Sequence, residues 1–127
     1  MTTQPRSQVP TVARRTAVLG RGEVAWDAPL VGADDLGLAR GDGCFETLRV
    51  LGGPPVRILS LEAHLDRFER SAALLDLPAP GRAAWTGLVT SLVTDLAAGA
   101  EASLRLLLSR GLPGAGPVGI AMLRPVP

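Results

Sequence analysis

The stretch from Arg40 to Ser71, RGDGCFETLRVLGGPPVRILSLEAHLDRFERS, constrains this chain more than any other. Gly41-Asp42-Gly43 predicts a tight turn opening a strand from Cys44 to Leu51. Gly52-Gly53-Pro54 then reverses the chain into a second short strand, Val56 to Leu59. Ser60 follows as the expected N-cap of a helix running to about Leu77, with Glu62 in its first turn. Leu61, Leu65, Phe68, Ala72 and Leu75 form its apolar stripe, and Pro78, Pro80 and Gly81 end it. His64, Arg67 and Ser71, at i, i+3 and i+7, share another face of the same helix.

Alternation along the first strand points Cys44, Glu46, Leu48 and Val50 one way, and Phe45, Thr47, Arg49 and Leu51 the other. Neither set is cleanly apolar, which fits a strand lining a site and equally an edge strand. Upstream, residues 1–15 are polar, carry Pro5 and Pro10 and lack periodicity, so a flexible tail is expected. Thr16–Leu19 and Glu23–Trp26 flank Gly20-Arg21-Gly22 as a hairpin, and Pro29–Leu38 is turn-rich. Downstream, a second helix is expected over Arg82–Ala98, with Trp85, Leu88, Val89, Leu92, Val93 and Leu96 inward and Gly99 as its stop. Ser103–Ser109 reads as a largely buried strand and Val118–Leu123 as a last one, with Pro125-Val126-Pro127 starting a linker. Hairpins dominate this order. The expected fold is α+β: an antiparallel sheet with two helices packed on one face, a two-layer sandwich.

Composition narrows the function. The length, 127 residues, suits one domain, and the net charge of +1 comes from interspersed charges with no evident basic face, against a nucleic-acid role. No apolar run approaches the roughly 18 residues of a membrane span, and no apolar signal segment opens the chain. The single cysteine, Cys44, cannot form an internal disulfide, so the expected compartment is the cytoplasm. All 13 residues counted as Lys or Arg are arginine, so no side-chain amine is available to form a Schiff base.

Several motifs carry little. Gly114-Ala115-Gly116-Pro117-Val118-Gly119 spells a dinucleotide fingerprint but leads into a short strand and opens no helix. Arg40-Gly41-Asp42 is a three-letter chance match to an adhesion tripeptide. Cys44 reads as a small buried hydrophobe, and His64, the one histidine, can gather no metal cluster. Asp66 and Arg70 read as a solvated i, i+4 pair. Arg67 is different: a planar fork of donors on a polar helix face suits phosphate or carboxylate.

Arg40–Val50, the Leu61–Ala72 segment LEAHLDRFERSA and Ser109-Arg110-Gly111, at this spacing, resemble the N-terminal half of the class IV (fold type IV) pyridoxal-phosphate enzymes, from about Leu19 onward. The wording GDGCFET and HLDRFERSA is most similar to aminodeoxychorismate lyase, with branched-chain and D-amino acid aminotransferases as alternatives. The resemblance implies a small domain over residues 16–124, with the linker beginning at 125–127 and the second domain lying beyond it. Arg67 would reach the phosphate of pyridoxal phosphate, and Phe45, Thr47 and Arg40 would line the substrate pocket. A homodimer, or a lysine-bearing second domain or half, is the expected partner. No catalytic residue is expected in this chain, because the Schiff-base lysine belongs to the second domain. A non-catalytic orphan domain is the competing reading. Where the family usually carries a carboxylate-binding arginine, after Ser109-Arg110-Gly111, this chain has Ala115. Arg40 is expected to supply that charge, so Arg40→Ala in a complete enzyme should lower substrate affinity. Unchanged affinity in a binding titration would contradict it.

Overall fold

Alternation in two long strands, paired along their whole length, sets the architecture. The computed structural model describes residues 9–78 and 80–127. In chain order the elements are β1 (Arg15–Val18), β2 (Gly22–Val24), α1 (Leu36–Arg40), β3 (Gly43–Leu51), β4 (Arg57–Ile58), α2 (Leu61–Leu74), α3 (Arg82–Val93), β5 (Glu101–Ser109) and β6 (Val118–Pro125). The strands form one antiparallel sheet in the order β2-β1-β6-β5-β3-β4. β3 and β5 pair from Gly43↔Ser109 to Leu51↔Glu101. That register fixes which side chains share a face.

The helix-covered face takes Leu48 and Val50 from β3, Ala102, Leu104, Leu106 and Leu108 from β5, and Ala121 and Leu123 from β6. Against them pack Leu65, Phe68 and Ala72 of α2 and Trp85, Leu88, Val89, Leu92 and Val93 of α3. Phe68 and Trp85 meet edge-to-face at 5.1 Å between centroids, a geometry worth about 0.5–1.5 kcal/mol beyond burial. The α+β two-layer arrangement is therefore as the sequence predicts.

Local departures have identifiable causes. α1, within the turn-rich segment, is an added short helix. Residues 1–8 of the expected tail lie outside the described residues, and the tail ends earlier than Arg15: Val12 packs on the core, and Arg15 opens β1 and bonds Glu23, Asp95 and the Leu92 carbonyl. Ser60 does precede α2, but it lies in the left-handed region (φ 55°) and its hydroxyl caps nothing; only its carbonyl receives the His64 N–H. Leu75 is exposed at the end of α2 rather than part of the stripe. α3 stops at Val93 because the following segment turns its carbonyls to the β3–β4 connection: Leu96 receives Gly53 N–H and Ala100 receives Gly52 N–H. Asp66 pairs with Arg82, not Arg70; Arg82 also holds Glu62 and Glu69 and so ties α2 to α3. Pro125 is the last residue of β6 rather than linker. β1 stops pairing at Leu123, so Pro125 has a strand on one side only, where a missing N–H is tolerated.

Leu104 is fully buried at the centre of this core, whereas Leu74 is exposed. Leu104→Ala should lower unfolding free energy by about 2–5 kcal/mol in urea denaturation, and Leu74→Ala should stay within about 0.5 kcal/mol of wild type.

Candidate functional site

The site is organised by the two faces and the outer edge of β3. β4 pairs only with Val50 and Leu51, so among the described residues the outer edge of β3 from Gly43 to Leu48 has no strand beside it. α2 lies along this end on the covered face. Its helical spacing brings His64 and Arg67 onto one carboxylate, Glu46, which is 5% exposed. His64 Nδ1 donates to Glu46 Oε1 at 2.7 Å. Arg67 forks onto the same carboxylate, Nε at 3.1 and 3.0 Å from the two oxygens and Nη2 at 2.8 Å from Oε1. The Arg67 head is 62% exposed, and its Nη1 has no partner among the described residues. Hydrogen bonds from Arg67, opposed by burial and reinforced by His64, hold the Glu46 carboxyl below its usual 4.5. The same bond raises the Arg67 pKa. Burial, with the Glu46 charge second, pushes the Cys44 thiol up, away from nucleophilic use.

On the opposite face of β3 stand Phe45 and Thr47, both exposed. Beside them is Arg105 of β5, directly opposite Thr47 in the register, its guanidinium 4.4 Å from the Phe45 ring centroid. Arg105 Nε is buried without a hydrogen-bond partner. Sequence reading missed Arg105 because it sits in the run SLRLLLS. The usable signal was alternation: Leu104, Leu106 and Leu108 take one face, which leaves Arg105 on the other.

A cavity of about 390 Å³ opens on this face, lined mainly by Val31, Leu38, Cys44, Phe45 and Leu107, with Asp35 and Ser109 in its wall. The polar pair holds the rim. The Asp35 carboxylate is buried and accepts from the Ser109 hydroxyl and from the N–H groups of Gly37 (2.9 Å) and Leu38 (3.2 Å). Ser109 Oγ accepts from Gly37 and Gly111 N–H, each at 3.1 Å. Arg110 reaches back from the next position to Asp42 and to the Leu75 carbonyl. The Gly41-Asp42-Gly43 turn is thus clamped from β5. Gly41 ends α1 at φ 66°, its N–H bonding Gly37 O in the 5→1 bond of an αL cap, while Asp42 N–H bonds Leu36 O. A Cβ on Gly43 would lie 2.6 Å from the Leu108 carbonyl oxygen, so glycine is required there for β3 to approach β5.

Of the residues the sequence singles out, Phe45 lines the cavity and Thr47 shares its face. Arg67 sits on the other face of β3. Arg40 ends α1 exposed to solvent and is not among the cavity's lining residues. Ser71 bonds nothing through its hydroxyl among the described residues. A ligand anchored on Arg67 reaches Phe45 and Thr47 only by passing the unpaired edge of β3.

Because Glu46 titrates lower in the folded chain than in the unfolded one, its pairing stabilises the fold above about pH 4.5, and that stability is lost as pH falls through the folded-state value. The difference in denaturation midpoint between wild type and Glu46→Gln should hold near neutrality and shrink below about pH 4.5. A pH-independent difference would contradict the pairing. Asp35→Ala, which strands buried N–H donors and the Ser109 hydroxyl, should cost about 2–4 kcal/mol in the same assay.

A family model described as amino-transferase class IV matches residues 43–125. A curated Mycobacterium tuberculosis protein named bifunctional aminodeoxychorismate lyase / D-amino acid transaminase is 44% identical over 102 residues, covering 78% of this chain and 34% of that protein. The chain therefore spans about a third of the length of that relative. Among solved structures, a hypothetical aminotransferase from Mycobacterium tuberculosis in its PLP-bound form superposes with a TM-score of 0.79 at 37% identity, covering 91% of this chain and 41% of that one. A fold IV transaminase from Curtobacterium pusillum gives a TM-score of 0.81 at 34% identity, covering 90% of this chain and 43% of that one.

Proposed function

The chain belongs to the class IV aminotransferases, and from that premise we propose that it is the small domain of a pyridoxal-phosphate enzyme that converts 4-amino-4-deoxychorismate to 4-aminobenzoate and pyruvate. The observation that carries this reading is the setting of Arg67: a guanidinium held by Glu46 with a free outer edge, beside an unpaired strand edge whose far side presents Phe45, Thr47 and Arg105.

The residues fit the cofactor in part. Arg67 suits the phosphate, since among the described residues its Nη1 and outer Nη2 donors have no partner while Glu46 fixes the other edge. No side chain suits the aldehyde, because every one of the 13 Lys-or-Arg positions is arginine. When bound, pyridoxal phosphate supplies an electron sink for carbanion chemistry. What this chain contributes is binding and orientation. Phe45 and Thr47 would face the substrate, Arg105 offers an unsatisfied Nε and a positive charge on the same face, and Arg40, exposed at the end of α1, is a further positive charge. The chain through β6, which ends at Pro125, would act as the small domain and lead toward a lysine-bearing second domain or half in a homodimer. The setting is the cytoplasm, and no helix of the described residues is long and apolar enough to cross a membrane. D-amino acid or branched-chain transamination is the alternative reaction, the first of them supported by the name of the curated relative.

Magnitudes bound what the chain does alone. Hydrogen bonds to charged groups contribute about 1.5–3 kcal/mol each. One arginine and a few neighbours reach about 3–5 kcal/mol, or near-millimolar affinity, with no turnover. The same absence of lysine favours a second reading for the isolated chain, a non-catalytic domain that keeps the fold for self-association or partner binding, with Val31, Leu38, Phe45 and Leu112 as exposed apolar side chains.

An absorbance titration separates the two. Pyridoxal phosphate should bind near millimolar, pyridoxal lacking the phosphate far more weakly, and Arg67→Ala should weaken phosphate-ester binding about tenfold or more. No binding at millimolar concentration leaves the non-catalytic reading.

A further inference from the structure

We propose that Glu46 is the positioning residue of the anion site: it aims the guanidinium of Arg67 over the unpaired edge of β3 rather than merely balancing its charge. The inference rests on Arg67 being the phosphate anchor and asks what holds it there. A buried carboxylate beside an anion site is electrostatically adverse, because it repels the ligand and cancels the charge that attracts it. Glu46 is such a group, with both oxygens engaged by one guanidinium.

The geometry gives the compensating gain. Arg67 is carried on the exposed side of α2, and a free arginine there samples many rotamers. The fork onto Glu46 takes the Nε–Nη2 edge and leaves Nη1 and the outer Nη2 proton in one fixed direction. β3 is anchored along its inner edge by β5, so the carboxylate is a rigid reference point. His64 closes the arrangement by donating to Glu46 Oε1, the oxygen that also takes Arg67 Nη2, which locks the carboxylate's own rotation. Pre-ordering a donor fork in this way raises affinity by removing the ordering cost at binding. Net charge alone predicts the reverse effect of deleting Glu46.

The sign of that effect is the test. Inorganic phosphate is titrated into the chain and its variants, followed by ¹H–¹⁵N spectra of the arginine Nε–H groups. Glu46→Ala should weaken phosphate binding about fivefold or more despite removing a negative charge, and should erase the ordered Arg67 Nε–H signal. Glu46→Gln, which keeps an acceptor in place of Oε1, should keep the signal and bind within about threefold of wild type. Arg67→Lys keeps a positive charge beside Glu46 but loses the fork and should bind as weakly as Glu46→Ala. Binding by Glu46→Ala or Arg67→Lys as tight as wild type, with binding still lost in Arg67→Ala, overturns the positioning role and leaves Arg67 as anchor. Unweakened binding in Arg67→Ala overturns the anchor and the positioning role together.

Discussion

The pairing of β3 with β5 is the constraint from which the rest follows. Nine consecutive residue pairs in one register commit every side chain of both strands to a face. Leu104, Leu106 and Leu108 of β5 and Leu48 and Val50 of β3 go under the helices, and the residues between them are left on the uncovered face. A one-residue slip of β3 along β5 would turn Thr47 toward the core and Leu48 and Val50 away from it. The two glycines of the turn before β3 serve the same pairing. Gly41 closes α1 in a left-handed conformation, and Gly43 lets the strand start against the Leu108 carbonyl.

Within that frame Glu46 is the exception that marks the site. It lies on the buried side of β3 between Cys44 and Leu48, where an apolar residue would pack. A buried carboxylate is tolerated only when paired and hydrogen-bonded, and both partners come from one turn of α2. The helix is thereby fixed in rotation as well as in position, and a cationic head is held at the unpaired outer edge of β3. A similar clamp sits at the start of β3, where Asp35, Ser109 and Arg110 tie the turn and α1 to β5.

Much of this was legible in the chain. The alternation of Cys44–Leu51 and the three- and four-residue stripe of α2 located the central hairpin and helix, and the i, i+3 spacing of His64 and Arg67 placed them together. What the sequence hid were partners. Glu46 was visible as an acid on an otherwise inward face, but nothing local says that it faces Arg67, since that depends on how α2 crosses the sheet. α1 was hidden because five residues containing Gly37 do not sustain a helix alone; contacts from Ser109 and Gly111, some 70 positions away, complete it. Arg105 was masked by a leucine run, and Asp66 turned to Arg82 because α3 brings that one guanidinium to three acids of α2.

The central claim is that a phosphate ester lands on Arg67 at the unpaired edge of β3. Pyridoxamine phosphate, which needs no lysine to bind, tests it most directly in a backbone ¹H–¹⁵N titration. The account predicts that the amides of residues 44–48 and the Arg67 Nε–H group shift together and saturate in one step, while pyridoxamine without phosphate leaves them unmoved. Shifts centred on Arg49 and Arg124, or on the Arg82 cluster, with residues 44–48 unchanged, would contradict it.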